Sequence, residues 1–189
     1  MLGYEASLNL KMRALTIEET RNLLCKIVKY KKANLLLYMK IVEKNLIIFR
    51  IQKSRIYETF LGIARQSENF QEYHLGSIGC CIARFTHSGK LILLIPSLKL
   101  ISEYPSSASL GITRNGESIF LKGSHLSQNF FDWANKNLVR GEGVSIIGSS
   151  GIILGFGQII QKIKFQKTHE SKKISLANHG DIGSYTRIY

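Results

Sequence analysis

Between Gly143 and Gln161 the chain carries no charged side chain, a length that in one continuous helix would cross a bilayer. Glycine decides against that reading. Gly143, Gly148, Gly151, Gly155 and Gly157 punctuate the stretch, with Ser145, Ser149 and Ser150 between them. The segment Gly148-Ser149-Ser150-Gly151 is a turn signal separating two β-rich runs, Val144–Ile147 and Ile152–Ile160, so the pattern predicts a hairpin rather than a membrane span.

The texture around that hairpin is similar. Beyond Ser106 come short β-rich runs broken by glycine, at Leu110–Thr113 before it and Ile174–Ala177 after it, the spacing of a small closed barrel. Asp181 is placed to cap a final short helix. The first half reads differently. Thr16-Ile17-Glu18-Glu19 has the form of a capping box, in which a hydroxyl and a carboxylate satisfy each other's backbone amides. Leu23, Leu24, Ile27 and Val28 follow at helical spacing, predicting a helix from Ile17 to Lys31. Strands are predicted at Leu46–Ile51 and Arg55–Tyr57 around the turn Gln52-Lys53-Ser54. Phe60, Leu61 and Ala64 then suggest a helix as far as Glu68. Ile78–Phe85 and Lys90–Ile95 form the clearest hairpin, joined by Thr86-His87-Ser88-Gly89. Ser97 is placed to cap a short helix through Tyr104, which Pro105 ends. Helices interleaved with antiparallel hairpins predict an α+β domain with an antiparallel sheet, and the change of texture sets its boundary near 96–106.

Charge narrows the partner. Lys and Arg number 26 against 13 Asp and Glu, a formal net charge of +13. Such an excess attracts polyanions and makes their binding salt-sensitive. It is spread through both halves, so binding uses folded surfaces rather than a basic arm. The three cysteines include the adjacent pair Cys80-Cys81, and the chain has neither a CxxC pair nor a Cys/His cluster. That predicts buried thiols in a reducing compartment, without a disulfide framework or a structural zinc. The opening residues lack the apolar core of a signal peptide.

A catalytic or cofactor site finds no support. Gly141-Glu142-Gly143 and Leu154-Gly155-Phe156-Gly157 lack the third glycine of a dinucleotide fingerprint and the Gly-Lys-Ser/Thr of a phosphate loop, and are better explained as glycine in tightly curved strands. The histidines at 74, 87, 125, 169 and 179 are scattered, and no GxSxG elbow or carboxylate pair is present.

Five phrases occur in series. They are Met12-Arg13-Ala14-Leu15-Thr16-Ile17-Glu18-Glu19-Thr20-Arg21; Leu75-Gly76-Ser77-Ile78-Gly79-Cys80 with Ala83-Arg84-Phe85-Thr86; Phe120-Leu121-Lys122-Gly123-Ser124-His125; Leu154-Gly155-Phe156-Gly157; and Asp181-Ile182-Gly183-Ser184-Tyr185-Thr186-Arg187. Together they resemble the Nip-seven ribosome biogenesis factors of eukaryotes and archaea. The resemblance implies an extension at residues 1–11, an α/β domain over 12–100 and a PUA-type RNA-binding β-barrel over 106–189. It further implies a non-enzymatic, cofactor-free monomer in the nucleus and nucleolus, away from membranes. That protein would work on precursor ribosomal RNA with pre-ribosomal large-subunit particles and other assembly factors. Its rivals are an RNA-modifying enzyme subunit and a protein scaffold that has lost RNA binding. The chain departs from the family at Gly111, where an aromatic is expected. It departs again at Phe130-Phe131, and at Ile159 and Ile160, where archaeal relatives tend to carry arginine.

For RNA binding by the barrel, Lys162, Lys164 and Lys167 are the first candidates, with Lys172 and Lys173 across the following loop. Lys162 and Lys164 would share one face of an extended strand. The alternative is a solvated strand edge guarded by lysine against aggregation. Arg114 in the turn Thr113-Arg114-Asn115-Gly116, Lys122 beside His125, and Arg187 are second candidates. Such cations fix affinity and position rather than sequence. Trp133, Phe131 and Tyr185 are expected in the core rather than as stacking platforms. The lysines at 29, 31 and 32 are read as a solvated helix end favoured by the dipole, and the N-terminal domain as a protein-recruiting surface.

Overall fold

The computed structural model describes residues 13–30, 47–60, 78–102, 108–161, 163 and 173–187. In the first half, strands β1 (Arg13–Ala14), β2 (Ile47–Gln52), β3 (Arg55–Phe60), β4 (Cys80–Phe85) and β5 (Leu91–Leu93) form an antiparallel sheet in sequence order. Helix α1 (Ile17–Val28) begins at the predicted capping box: Thr16 Oγ1 accepts from the Glu19 amide at 3.2 Å, and Glu19 accepts from the Thr16 amide at 2.8 Å. The same carboxylate takes both guanidinium nitrogens of Arg13, at 2.7 and 2.8 Å, which ties β1 to the helix. The helix buries Leu23 and Ile27 against Ile56, Ile82, Leu91, Leu93, Leu100 and Ile101. Here i and i+4 share one face, as the spacing required.

Several expectations for this half need correcting. Phe60 is not helical: it is the last residue of β3, opposite Ile47, because the six-residue ladder with β2 outweighs a local i, i+4 pattern. The remainder of that predicted helix lies outside the described residues, as do residues 1–11. Ser97 closes a 3-10 turn (Ile95–Ser97), its hydroxyl donating back to the Leu94 carbonyl at 2.6 Å, and helix α2 (Leu98–Ser102) follows directly; the rest of the helix predicted through Tyr104 lies outside the described residues. The thiols are not buried as a set. Cys25 and Cys80 are exposed and Cys81 half-buried, all three free; neighbours on a strand point to opposite faces, so Cys80 and Cys81 cannot both enter the core.

The second half forms a six-stranded mixed sheet, ordered β7-β11-β10-β9-β6-β8. Its strands are β6 (Ser109–Ile112), β7 (Leu126–Ser127), β8 (Phe131–Ala134), β9 (Gly143–Ile147), β10 (Ile153–Ile159) and β11 (Ile174–Asp181). The uncharged stretch is the hairpin β9–β10, as predicted. Only β6 and β9 run parallel. The two edge strands are consecutive in the chain, joined by the turn Gln128–Phe130. A connection that short reaches at most roughly 14 Å, whereas the edges of a flat six-stranded sheet lie roughly 24 Å apart. The sheet must therefore curl. Among the described residues it forms a curled half-barrel, in keeping with the small barrel expected, and its core holds Leu110, Ile112, Phe120, Leu126, Val144, Ile146, Leu154, Ile159 and Leu176. No described helix is long and apolar enough to cross a membrane.

Phe156 joins the halves. A Cβ on Gly155 would meet the Phe120 ring at 3.0 Å, and one on Gly157 would meet Leu176 Cδ1 at 2.9 Å, so both glycines turn toward the second core. Between them Phe156 projects from the opposite face into the first core, 1% exposed. Its ring meets Tyr30 edge-on, centroids 5.3 Å apart. Gly143 completes the seam. Its amide donates to the Lys29 carbonyl at 3.1 Å, and a Cβ there would lie 2.5 Å from the Tyr30 ring.

Phe156→Ala is expected to cost about 3–5 kcal/mol of stability, read by chemical denaturation. A second outcome concerns pH. The Arg13 hydrogen bonds foremost, with the Thr16 amide, hold the Glu19 carboxyl down at about 2 from an ordinary 4.5. A carboxylate lowered on folding stabilises fully above its unfolded value and loses that contribution as pH falls through its folded value. The gap in urea midpoint between the native protein and Glu19→Gln is therefore expected to shrink between pH 4.5 and 2.

Candidate nucleic-acid interface

Helix α3 (Arg114–Phe120) follows β6 where the sequence suggested only a turn. Thr113 is its cap, accepting from the Gly116 amide at 3.3 Å, a Thr-x-x-Gly start that lacks the acidic partner of a capping box. Its first turn exposes Arg114 and Asn115. Glu117 on the next face accepts the Ser149 amide from the β9–β10 turn; the Ser149 side chain first, then this amide, and last the nearby Arg114 charge, lower its pKa. After α3 the chain turns through Gly123 at φ +87°, leaving Lys122, Ser124 and His125 exposed.

This loop is held from beneath by an ion pair. Asp181, with its side chain 3% exposed, accepts from Arg187 Nη1 at 2.7 Å and Nη2 at 3.1 Å. Arg187 Nη1 also donates to the Leu121 carbonyl, and its guanidinium lies where a Cβ on Gly123 would be 3.3 Å from Cζ. Asn178 adds a second tie, donating from Nδ2 to the Phe120 carbonyl and to Asp181 Oδ2, each at 3.0 Å. Its amide donates to His125 Nδ1 at 3.1 Å, which leaves the ring proton of a neutral His125 on Nε2.

Two sequence expectations change accordingly. Asp181 occupies the N-cap position of the closing 3-10 turn (Ile182–Tyr185) but makes no side-chain cap bond there, because the arginine charge and Asn178 claim its oxygens. Arg187 supports the Lys122–His125 loop with donors already committed to the protein, rather than standing out as a phosphate ligand.

The remaining candidates fall into separate places. Lys173 is exposed immediately before β11, whose Ile174 faces Ser127 of β7. Lys122 lies at the other side of β7, so these two lysines flank the β7–β11 edge. Arg114 is at the opposite end of α3, about 12 Å away along the helix axis. Lys162, Lys164, Lys167 and Lys172 lie outside the described residues, but the flanks of their segment are fixed: Ile159 faces Leu176, and the Ile160 amide donates to Ser175 at 2.8 Å. Both ends of that connection therefore meet the start of β11, one on its β10 side and the other beside β7. Among the described residues no ion pair engages Lys122 or Lys173.

The aromatics divide. Phe131 packs against the second core as expected. Trp133 is 41% exposed and Tyr185 68% exposed, against expectation. Trp133 stands on the edge strand β8 opposite Gly111, and a Cβ at 111 would lie 2.2 Å from its Nε1. The indole rests on bare backbone at the rim because the residue beneath it has no side chain.

Comparison with known proteins gives the following. Residues 12–95 match the family model of the NIP7/UPF0113 pre-PUA domain. Over 176 residues the chain is 30% identical to the 60S ribosome subunit biogenesis protein NIP7 homolog of Sus scrofa, covering 93% of this chain and 97% of that one. It is 28% identical to the 60S ribosome subunit biogenesis protein NIP7 of Saccharomyces cerevisiae, covering 93% and 96%. The fold is similar to the crystal structure of a PUA domain from Aeropyrum pernix K1, with a TM-score of 0.57 at 15% identity, over 92% of this chain and 86% of that chain. The second half is thus a PUA-type fold behind an α+β domain with an antiparallel sheet.

Arg187→Ala leaves the buried Asp181 carboxylate without its cation. It is expected to cost about 3 kcal/mol or more, measured by thermal or chemical unfolding.

Proposed function

The chain belongs to the NIP7 family, and from that membership we propose that it is an RNA-binding factor for assembly of the large, 60S ribosomal subunit. It acts in the nucleus and nucleolus on precursor ribosomal RNA. It does so as a monomer within pre-ribosomal particles, alongside other assembly factors and without catalysis. The observation that carries this reading is the division of charge in the PUA-type half. The carboxylates of Glu117, Glu142 and Asp181 are engaged within the protein, by the Ser149 amide, Lys136 at 3.0 Å and Arg187. Lys122 and Lys173 flank the β7–β11 edge with no described ion pair. With those three carboxylates engaged internally and Asp132 the one exposed acid among the described residues of this half, the unpaired lysines present a positive potential to phosphodiesters.

In this reading Lys162, Lys164, Lys167 and Lys172 belong to the same surface, since both flanks of their segment meet the start of β11, which pairs with β7. Lys122 and Lys173 border it, and Arg114 makes a separate contact. Exposed Tyr185 and Trp133 offer flat apolar faces on which unpaired bases stack. The α+β half recruits protein partners. The relatives' names describe ribosome biogenesis rather than a reaction, and no group of three or more His, Cys, Asp or Glu side chains among the described residues could hold a metal.

The test is the salt dependence of RNA affinity. For single-stranded RNA the slope of log affinity against log salt falls by about 0.7 for each phosphate that the protein no longer neutralises. Charge reversal at Lys162, Lys164 and Lys167 is expected to weaken binding in a mobility-shift assay and to flatten the slope by about 2. An unchanged slope removes that surface. Incubation with precursor rRNA and S-adenosylmethionine is expected to leave the nucleosides unmodified; modified products would make the protein an enzyme.

A further inference from the structure

The seam between the two halves gathers basic groups from both. Lys26 lies within the last turns of α1 and Lys29 just beyond them; Lys90 stands at the foot of the β4–β5 hairpin, and His125 and His179 come from the PUA-type half. His179 Nδ1 is 2.7 Å from the Tyr30 hydroxyl, and the two rings meet edge-on at 6.5 Å. Burial first, then Lys26, His125, Lys29 and Lys90, push the His179 pKa down. Burial, Lys29 and Lys90 likewise lower Lys26. Among the described residues, the side chains whose charges shift these two groups are all basic. Asp181, two residues from His179, is closed off by Arg187 and Asn178, and Glu142, beside the seam glycine, is held by Lys136.

Lys26 stands one turn before Tyr30, and the Lys29 carbonyl takes the Gly143 amide at 3.1 Å, so lysines of the first half gather at the contact, where their mutual repulsion destabilises the free protein. The helix dipole favours Lys26 and Lys29 at the end of α1, but it gives no reason for Lys90. A bound polyanion does. Burial raises the Tyr30 pKa, so its hydroxyl stays protonated. Donating to His179 Nδ1, it leaves the ring Nε2–H as a further donor.

We propose that Lys26, Lys29, Lys90, His125 and His179 form a second phosphodiester-binding site at the seam, so that one RNA strand runs from the PUA-type half across to the end of α1. This rests on the RNA-binding reading and extends it to the first half of the chain. Both halves then hold the same ligand: the phosphates offset the mutual repulsion of the lysines and accept from the histidine ring N–H groups.

The experiment uses the full chain and single-stranded RNA. The variant Lys26→Gln/Lys29→Gln/Lys90→Gln is expected to lose about tenfold or more in affinity and to flatten the salt slope by about 2, additively with reversal of Lys162, Lys164 and Lys167. In the native protein, saturating RNA is expected to raise the His179 pKa, followed by imidazole NMR, because phosphate replaces repulsion with attraction. That measurement stands even if the triple variant does not fold. RNA binding with neither a changed slope nor a shifted His179 overturns the seam site and leaves the RNA reading intact. Absence of RNA binding by the native protein overturns both. An equal His179 shift with inorganic phosphate, or with polyglutamate, at matched charge concentration overturns the assignment to RNA.

Discussion

Phe156 is the residue on which the arrangement of the molecule depends. It belongs to β10 of the second sheet, yet its ring is buried in the core of the first, against Tyr30. A strand lends its two faces to two different cores only if the residues on either side of the bridging ring stay small. Gly155 and Gly157 meet that condition, since any side chain there would collide with β11 or with Phe120 and Leu176. The Leu-Gly-Phe-Gly phrase is therefore a joint, and the glycines that invite a phosphate-loop reading serve packing.

That joint has an electrostatic consequence. Docking Tyr30 against β10 and β11 brings the end of α1 beside His179, and with it the lysines of the first half beside the histidines of the second. Elsewhere the protein pairs its buried charge closely, as Asp181 with Arg187 and Glu142 with Lys136. Carboxylates spent on internal ties leave fewer anions to offset the surface cations. In a chain with a formal net charge of +13, where the few anions sit matters as much as how many cations there are.

Much of the fold is legible in the sequence because local rules dominate. The Thr16–Glu19 capping box, the β4–β5 hairpin and the uncharged β9–β10 hairpin depend on residues close together in the chain, and all three form. Phe60 escapes such rules because its helical spacing competes with a ladder to β2 that sequence alone does not weigh. Helix α3 escapes them because it is one short run, started by Thr113 without an acidic partner. Trp133 is expected inside, and only its register opposite Gly111 puts it on the rim.

The candidate site divides in the same way. Basic composition, the missing catalytic constellations and the five family phrases are properties of the sequence itself, and they determined that this chain is a NIP7-family protein suited to a polyanion. Which cations are free was a tertiary matter. Arg187 and Lys122 look alike as letters in a chain, yet one is clamped on Asp181 and the other stands in solvent. The seam cluster lay beyond reach as well, since Lys26, Lys90 and His179 are far apart in the chain. Charge and periodicity are summed along a sequence, whereas neutralisation and convergence depend on distances that exist only once the two cores have closed on Phe156.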